Sequence, residues 1–269
     1  MFVLDPEKLT SLAAKLSSRY STAEPFPHVV IDDFLPADAL RKVADSFPQA
    51  DEIDWHRSAN PRQQKLAAED ETQISDDARR LLYQLNSATF MKFLEALTGI
   101  DGLIPDPYFA GGGLHQIERG GYLKIHADFN RHPKFGLERR LNLLLYLNDD
   151  WQDEYGGDLE LWNRDMTQSV QRIPPIFNRC VIFNTTDFSY HGHPEPLTCP
   201  PGRTRKSLAL YYYSNGRPAE EGSVEHGTLV RPRPGETIDG LNGRATPRKI
   251  LKRFLPPIVS DIRNYFRKK

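Results

Sequence analysis

The sequence predicts an α+β chain, mainly β, with N-terminal helices packed on an antiparallel double sheet or barrel. Three observations predict it. Up to residue 215, apolar residues recur at helical spacing only before residue 100. From Leu114 onward they gather in short runs punctuated by Gly, Pro and Asn-Asp pairs. No helix-length segment separates those runs, so the crossovers that parallel strands need are missing. The 269 residues fit one large core with appendages, and 39% hydrophobic against 26% charged residues supplies the apolar side chain to fill it.

Leu9, Leu12, Ala13 and Leu16 stand at i, i+3, i+4 and i+7, which predicts an amphipathic helix over 6–20. Val29, Val30 and Ile31 lie between prolines and predict a strand within 26–34. Pro36 opens a second helix over 36–47, where Ala39, Leu40, Val43 and Phe47 repeat at helical intervals. Segment 51–71 is polar and without period, and reads as a long loop or lid. Helical spacing returns over 76–98 in a stripe that includes Leu81, Leu85, Phe93 and Leu97. Strands are then expected over 114–118, 122–128, 139–148, 158–162, 179–184, 190–193 and 205–213.

Past 213 Pro, Gly and charge accumulate, and Arg231-Pro232-Arg233-Pro234-Gly235 predicts extended chain. The expected organisation is a helical region 1–100 integrated with the core, the sheet core 101–215, and an extension 216–269. That extension ends in a basic amphipathic tail, with eight Lys or Arg against Asp261 alone from Arg248 onward. Such a tail either docks its apolar face on the domain or makes peripheral contact with an anionic membrane.

Lys plus Arg number 35 and Asp plus Glu 36, a net charge of −1 that gives no chain-wide field for nucleic acid. The longest apolar runs, such as 141–147, fall far short of the roughly 20 residues that cross a bilayer. Nothing at the N-terminus reads as a signal peptide. Cys180 and Cys199 lack Cys-x-x-Cys spacing and read as reduced thiols. The expected location is therefore cytoplasmic, and peripheral to a membrane if the tail makes that contact.

His126 and Asp128 are two residues apart, which on a strand puts both on one face. His191, 63 residues after Asp128, supplies a third ligand. Two histidines and one carboxylate hold Fe(II) by one octahedral face and leave three positions open, whereas structural zinc wants four closed ligands, usually including Cys. Fourteen residues past His191, Arg205 opens a run whose alternation sends Arg205, Ser207, Ala209 and Tyr211 to one face. If that face is interior, Arg205 is a buried cation that needs an anion, and Ser207 and Ala209 leave room for one. A carboxylate meeting the guanidinium through both oxygens satisfies it.

With these residues in place, the sequence resembles the iron(II) and 2-oxoglutarate dependent dioxygenases, in the branch similar to prolyl 4-hydroxylases. The resemblance runs over about 121–213. It rests on His126-Ala127-Asp128, on Leu143-Leu144-Leu145-Tyr146-Leu147-Asn148 followed by Trp151, on Gly156-Gly157-Asp158-Leu159-Glu160-Leu161, on His191-Gly192-His193-Pro194, and on Arg205. It implies a double-stranded β-helix core of the jelly-roll or cupin-like kind. It implies His126, Asp128 and His191 as iron ligands, Arg205 as partner of the far carboxylate of 2-oxoglutarate, and Tyr146 as hydroxyl donor to that carboxylate. His193 competes with His191, and Arg203 with Arg205; the nearby proline favours His191 and strand alternation favours Arg205.

The implied cofactors are Fe(II), 2-oxoglutarate as co-substrate and dioxygen, with ascorbate as reductant. The implied reaction hydroxylates an aliphatic C–H bond while 2-oxoglutarate is decarboxylated to succinate. Asp128 argues against halogenation, which replaces the carboxylate by a small residue. The substrate is expected to be a protein prolyl residue or a small molecule, sugar or lipid-linked intermediate. Asn130 and Arg131, which follow the metal motif, are candidates for its binding, as are Arg139 before the central strand and Tyr211 on the Arg205 face. A surface ion pair competes as the role of Arg139. A barrel that binds metal and a 2-oxo acid as a sensor, without turnover, is the alternative of a different class.

Overall fold

The computed structural model describes residues 2–241. In chain order its first elements are α1 (Pro6–Ser21), β1 (His28–Ile31), α2 (Ala37–Asp45), β2 (His56–Asn60), β3 (Gln63–Ala68), α3 (Asp76–Leu85), α4 (Ala88–Thr98) and β4 (Ile104–Pro105). There follow β5 (Gly113–Ile117), β6 (Tyr122–Ala127), β7 (Glu138–Tyr146), β8 (Leu159–Trp162), β9 (Ser169–Ile173), β10 (Cys180–Asn184), β11 (His191–His193), β12 (Arg205–Ser214) and β13 (Leu229–Val230). The strands run β1-β10-β7-β12-β5-β3-β6-β11-β8-β9, with β2 on β3, β4 on β12 and β13 on β6. Every pairing is antiparallel, as the absence of crossovers predicts.

One side of the sheet is apolar because its strands alternate. Leu141, Leu143 and Leu145 of β7, Cys180 and Ile182 of β10, and Leu208, Leu210 and Tyr212 of β12 form one buried cluster with apolar residues of all four helices. The residues between them, such as Asn142, Leu144, Ser207 and Tyr211, line an internal cavity. The helices are set by local chemistry. Asp5 caps α1 by accepting from the amides of Glu7 and Lys8, with Pro6 in the first turn. α4 closes on Gly99, whose φ of 72° a side chain would resist.

The structure departs from the sequence reading in four places. Segment 51–71 is a hairpin, β2–β3, and not a loop. Asn60 turns it by accepting from the amides of Arg62 and Gln63. β3 bridges the two halves of the sheet, since Leu66, Ala67 and Ala68 pair with β5 while Gln63 and Gln64 pair with β6. The helical stretch 76–98 is two helices, because Ser87 accepts from Phe90 N and caps α4 anew. β9, with three exposed residues at its centre, escapes an apolar pattern altogether.

The fourth departure is the extension. The first compact unit ends at Glu236, not near 215. Leu229 and Val230 pair with Ala127 and His126 of β6, and Glu236 meets Lys124 at 2.7 Å. The second unit begins at Thr237, and its described part ends in a turn over 239–241. The basic tail from Arg248 lies outside the described residues. Among the described residues no helix is long and apolar enough to cross a membrane, and both cysteines are buried and free.

Candidate functional site

β6 and β11 lie side by side with His191 opposite His126, and this register brings the two imidazoles together, ring centres 4.5 Å apart. Asp128 follows the end of β6. Its carboxylate oxygens lie 3.5 Å from His126 Nε2 and 3.4 Å from His191 Nε2. The ligand atoms of His126, Asp128 and His191 all fall within 4.8 Å of one another, the cluster of metal-ligand type found among the described residues.

The donor set suits a divalent cation. His126 Nδ1 meets the carbonyl of Lys124 at 2.8 Å, and His191 Nδ1 that of Ser189 at 2.9 Å. A carbonyl only accepts, so each Nδ1 carries a proton and each Nε2 is the atom turned to the Asp128 carboxylate. Burial, then His126, pulls His191 down to about 4, which keeps its imidazole neutral. Burial alone would raise the Asp128 carboxyl, but Arg139, with His191 and His126, holds it well below the usual carboxylate range. Two neutral imidazoles and a carboxylate are the ligands that Fe(II) takes on one face.

Arg205 opens β12 and points into the same cavity of about 620 Å³. Its Nε donates to the carbonyl of Gly157 at 2.8 Å and its Nη2 to the Tyr146 hydroxyl at 3.2 Å. No carboxylate of the described residues pairs with it, although it is buried. A buried guanidinium without an anion fits an incoming carboxylate such as that of 2-oxoglutarate. Tyr146 lies behind Arg205, fully buried, and its hydroxyl proton is left to donate. Gly157 makes the approach possible: a Cβ there would lie 2.6 Å from Leu197 Cδ2 and 3.0 Å from Arg205 Cδ.

The competing residues fall elsewhere. His193 lies outside the ligand cluster, although it lines the cavity. Arg203 donates to the carbonyl of Asp149 and its guanidinium faces the Tyr155 ring. Of the candidate substrate residues, Tyr211 lines the cavity and donates to the Gly111 carbonyl at 2.9 Å. Asn130 does not reach the cavity: it is buried, donating to Ser223 Oγ and the Val224 carbonyl and accepting from His226 N. Arg131 is turned to Glu138 at 2.9 Å. Arg139 is not a surface ion pair. It is wholly buried, and its Nη2 lies 3.1 Å from Asp128 Oδ2.

Several site residues escaped the sequence reading. Asn142 Nδ2 donates to Asp128 Oδ2 at 2.6 Å, and its signal was a lone amide inside an apolar strand. His115 and Phe129 line the cavity, as does Lys65 from the hairpin taken for a loop. Lys65 had one signal, its place in the stretch 55–68, which holds three cations and no acid.

A family model described as the 2OG-Fe(II) oxygenase superfamily matches residues 112–213. Prolyl 3-hydroxylase OGFOD1 of Mus musculus is 26% identical over 196 residues, 71% of this chain and 33% of that protein. The chain thus spans about a third of the length of that curated relative. Among solved structures, a prolyl-4-hydroxylase of Pseudomonas putida superposes with a TM-score of 0.52 at 18% identity, covering 76% of this chain and 99% of that one. A prolyl hydroxylase from Trichoplax adhaerens, in complex with a hypoxia inducible factor oxygen degradation domain peptide fragment, superposes at 0.57 with 19% identity, covering 77% and 91%. The match to the 2OG-Fe(II) oxygenase superfamily encloses His126, Asp128, His191, Tyr146 and Arg205, and the fold is the jelly roll of the prolyl hydroxylase structures on which the chain superposes.

Proposed function

We propose that this chain is an Fe(II)- and 2-oxoglutarate-dependent hydroxylase whose substrate is a prolyl residue of a peptide. One observation carries the reading: two imidazoles and a carboxylate converge in a cavity that also presents a buried, uncompensated arginine. A metal site and a carboxylate site in one cavity are what a chelating 2-oxo acid requires. The prolyl substrate is supported by the curated relative named a prolyl 3-hydroxylase and by the fold neighbour bound to a peptide.

His126, Asp128 and His191 would hold the iron, and Arg205 with Tyr146 would hold the far carboxylate of 2-oxoglutarate. When bound, the iron and co-substrate supply the oxidising power that breaks an aliphatic C–H bond. The protein's share is geometry. Asn142 and Arg139 fix the Asp128 carboxylate, while the main-chain carbonyls of Lys124 and Ser189 fix both imidazole tautomers. Leu144 and Leu159 add apolar wall to the cavity that holds Arg205, which limits water there.

The test is anaerobic titration of the iron-loaded protein with 2-oxoglutarate, watching for the visible charge-transfer band of chelation. The band should appear in the wild type. Arg205→Ala should retain iron but need at least about tenfold more 2-oxoglutarate, a loss of about 1.4 kcal/mol or more. Asp128→Ala should lose iron binding itself. Absence of the band with iron demonstrably bound would overturn the reading. Gain of one oxygen atom on proline-containing peptides, read by mass spectrometry, tests the substrate.

A further inference from the structure

Five cations stand at the wall of this cavity, and Arg62, whose side chain has no partner among the described residues, is exposed. Arg139 meets Asp128, and Lys124 meets Glu236. Under the function proposed above, Arg205 receives 2-oxoglutarate. Lys65 is different. It stands on β3 with its side chain in the cavity wall, and its ammonium makes no hydrogen bond or ion pair with any described residue. None of the lining carboxylates Asp54, Glu69 and Asp70 lies within ion-pair distance of it. Lys65 is half-buried, and an unpaired ammonium held in a cavity wall is costly, so a site that keeps one is shaped for an anion that arrives later.

The surroundings point the same way. The hairpin that carries Lys65 presents His56, Ser58, Asn60 and Arg62 to the cavity, and from 55 to 68 it holds no acid. Ser58 lies directly across the hairpin from Lys65. His193, also in the wall and buried, has both ring nitrogens without a partner. The ammonium lies within electrostatic reach of Asp128, Arg139 and Arg205, so it overlooks the reaction site and not a remote part of the surface.

Charge bookkeeping separates this group from the co-substrate. One carboxylate of 2-oxoglutarate would go to the metal and the other to Arg205, which leaves none for Lys65. Among the charges that reach Lys65, those of iron, Arg139 and Arg205 would exceed those of Asp128 and 2-oxoglutarate by one, and Lys65 makes the excess two. We infer that Lys65 anchors a second anion subsite, which takes a carboxylate or phosphate group carried by the substrate. This inference rests on the function proposed above.

The experiment uses full-length protein grown on [ε-13C]lysine, loaded with Zn(II) and saturated with 2-oxoglutarate, at constant ionic strength. The Lys65 resonance is assigned by its loss in Lys65→Arg. Acetate and inorganic phosphate, small enough to enter whatever the substrate, are then titrated in. The Lys65 signal should move saturably with one or both, at concentrations at least fivefold below those that move any other lysine. Tighter binding of phosphate would mark a phosphate-bearing substrate, and tighter binding of acetate a carboxylate. A Lys65 signal that shifts on adding 2-oxoglutarate and then ignores both anions would overturn the inference by returning Lys65 to the co-substrate. A signal no more responsive than those of surface lysines would overturn it as well. Failure of the function itself reads out separately, as absence of the charge-transfer band.

Discussion

Asp128 is a useful ligand only while its carboxylate is held from rotating, and two donors do this. Arg139 Nη2 and Asn142 Nδ2 both reach Oδ2, at 3.1 and 2.6 Å. Arg139 is itself pinned, with Nε and Nη2 on Asn142 Oδ1 and the guanidinium 3.4 Å from the Tyr211 ring centre. Arg139→Met keeps the length and loses the fork, and should weaken Mn(II) binding about 10- to 100-fold, the usual effect of removing a ligand's support. Arg139→Lys should restore it only in part, because a shorter ammonium lacks the second nitrogen, Nε, that pins the guanidinium on Asn142. Unchanged affinity in a Mn(II) titration followed by electron paramagnetic resonance would leave Arg139 as packing only. The metal ligands were legible in the sequence because the two-residue strand period fixes which side chains share a face. Arg139 was not, since whether an arginine beside a strand is buried depends on the partners that tertiary structure brings to it.

The metal site also depends on how closely two strands approach. β11 is three residues long, and His191 faces His126 only because β11 lies tight against β6. A Cβ on Gly192 would stand 2.7 Å from the Leu123 carbonyl and 2.9 Å from that of Lys124, and both are backbone atoms that cannot swing aside. Gly192→Ala should therefore push β11 outward, costing about 1–3 kcal/mol of stability by overpacking. It should lower metal affinity in the same protein. Denaturant midpoint and metal titration on one sample check both, and Gly227→Ala, where nothing lies within 4 Å, is the control that should change neither. Strands that carry apolar runs were legible at this scale, β7 and β12 above all. β3 was not: its outward Leu66 and Ala68 alternate with Lys65 and Ala67 of the cavity, so the wall of a polar site masked the strand period. The break between α3 and α4 was hidden for another reason, since the apolar stripe continues across a cap that interrupts only the backbone.

For the molecule as a whole, a polar cavity inside the barrel is a stability cost accepted for function, and Lys65 allows that cost to be measured. Burial pulls its ammonium down to about 8, although the nearby Asp128 resists the shift. In the unfolded chain the group titrates near its ordinary value of 10.5. Between these values the unfolded state binds more protons than the folded one, so this residue makes stability rise with pH across that window. Below about 8 both states are protonated and the folded state bears the full cost of the unpaired charge. Lys65→Met removes the charge and keeps the stem. It should stabilise the protein by about 1–2 kcal/mol near neutral pH, an amount discounted for water that enters the cavity. The advantage should shrink as pH rises above about 8 and be largely lost by about pH 10. Denaturant unfolding of both proteins at neutral pH and again at about pH 9.5 would test the sign and the trend. A variant no more stable than wild type at neutral pH would mean that Lys65 is already compensated in the folded protein, and the case for an anion arriving with the substrate would lose its energetic basis.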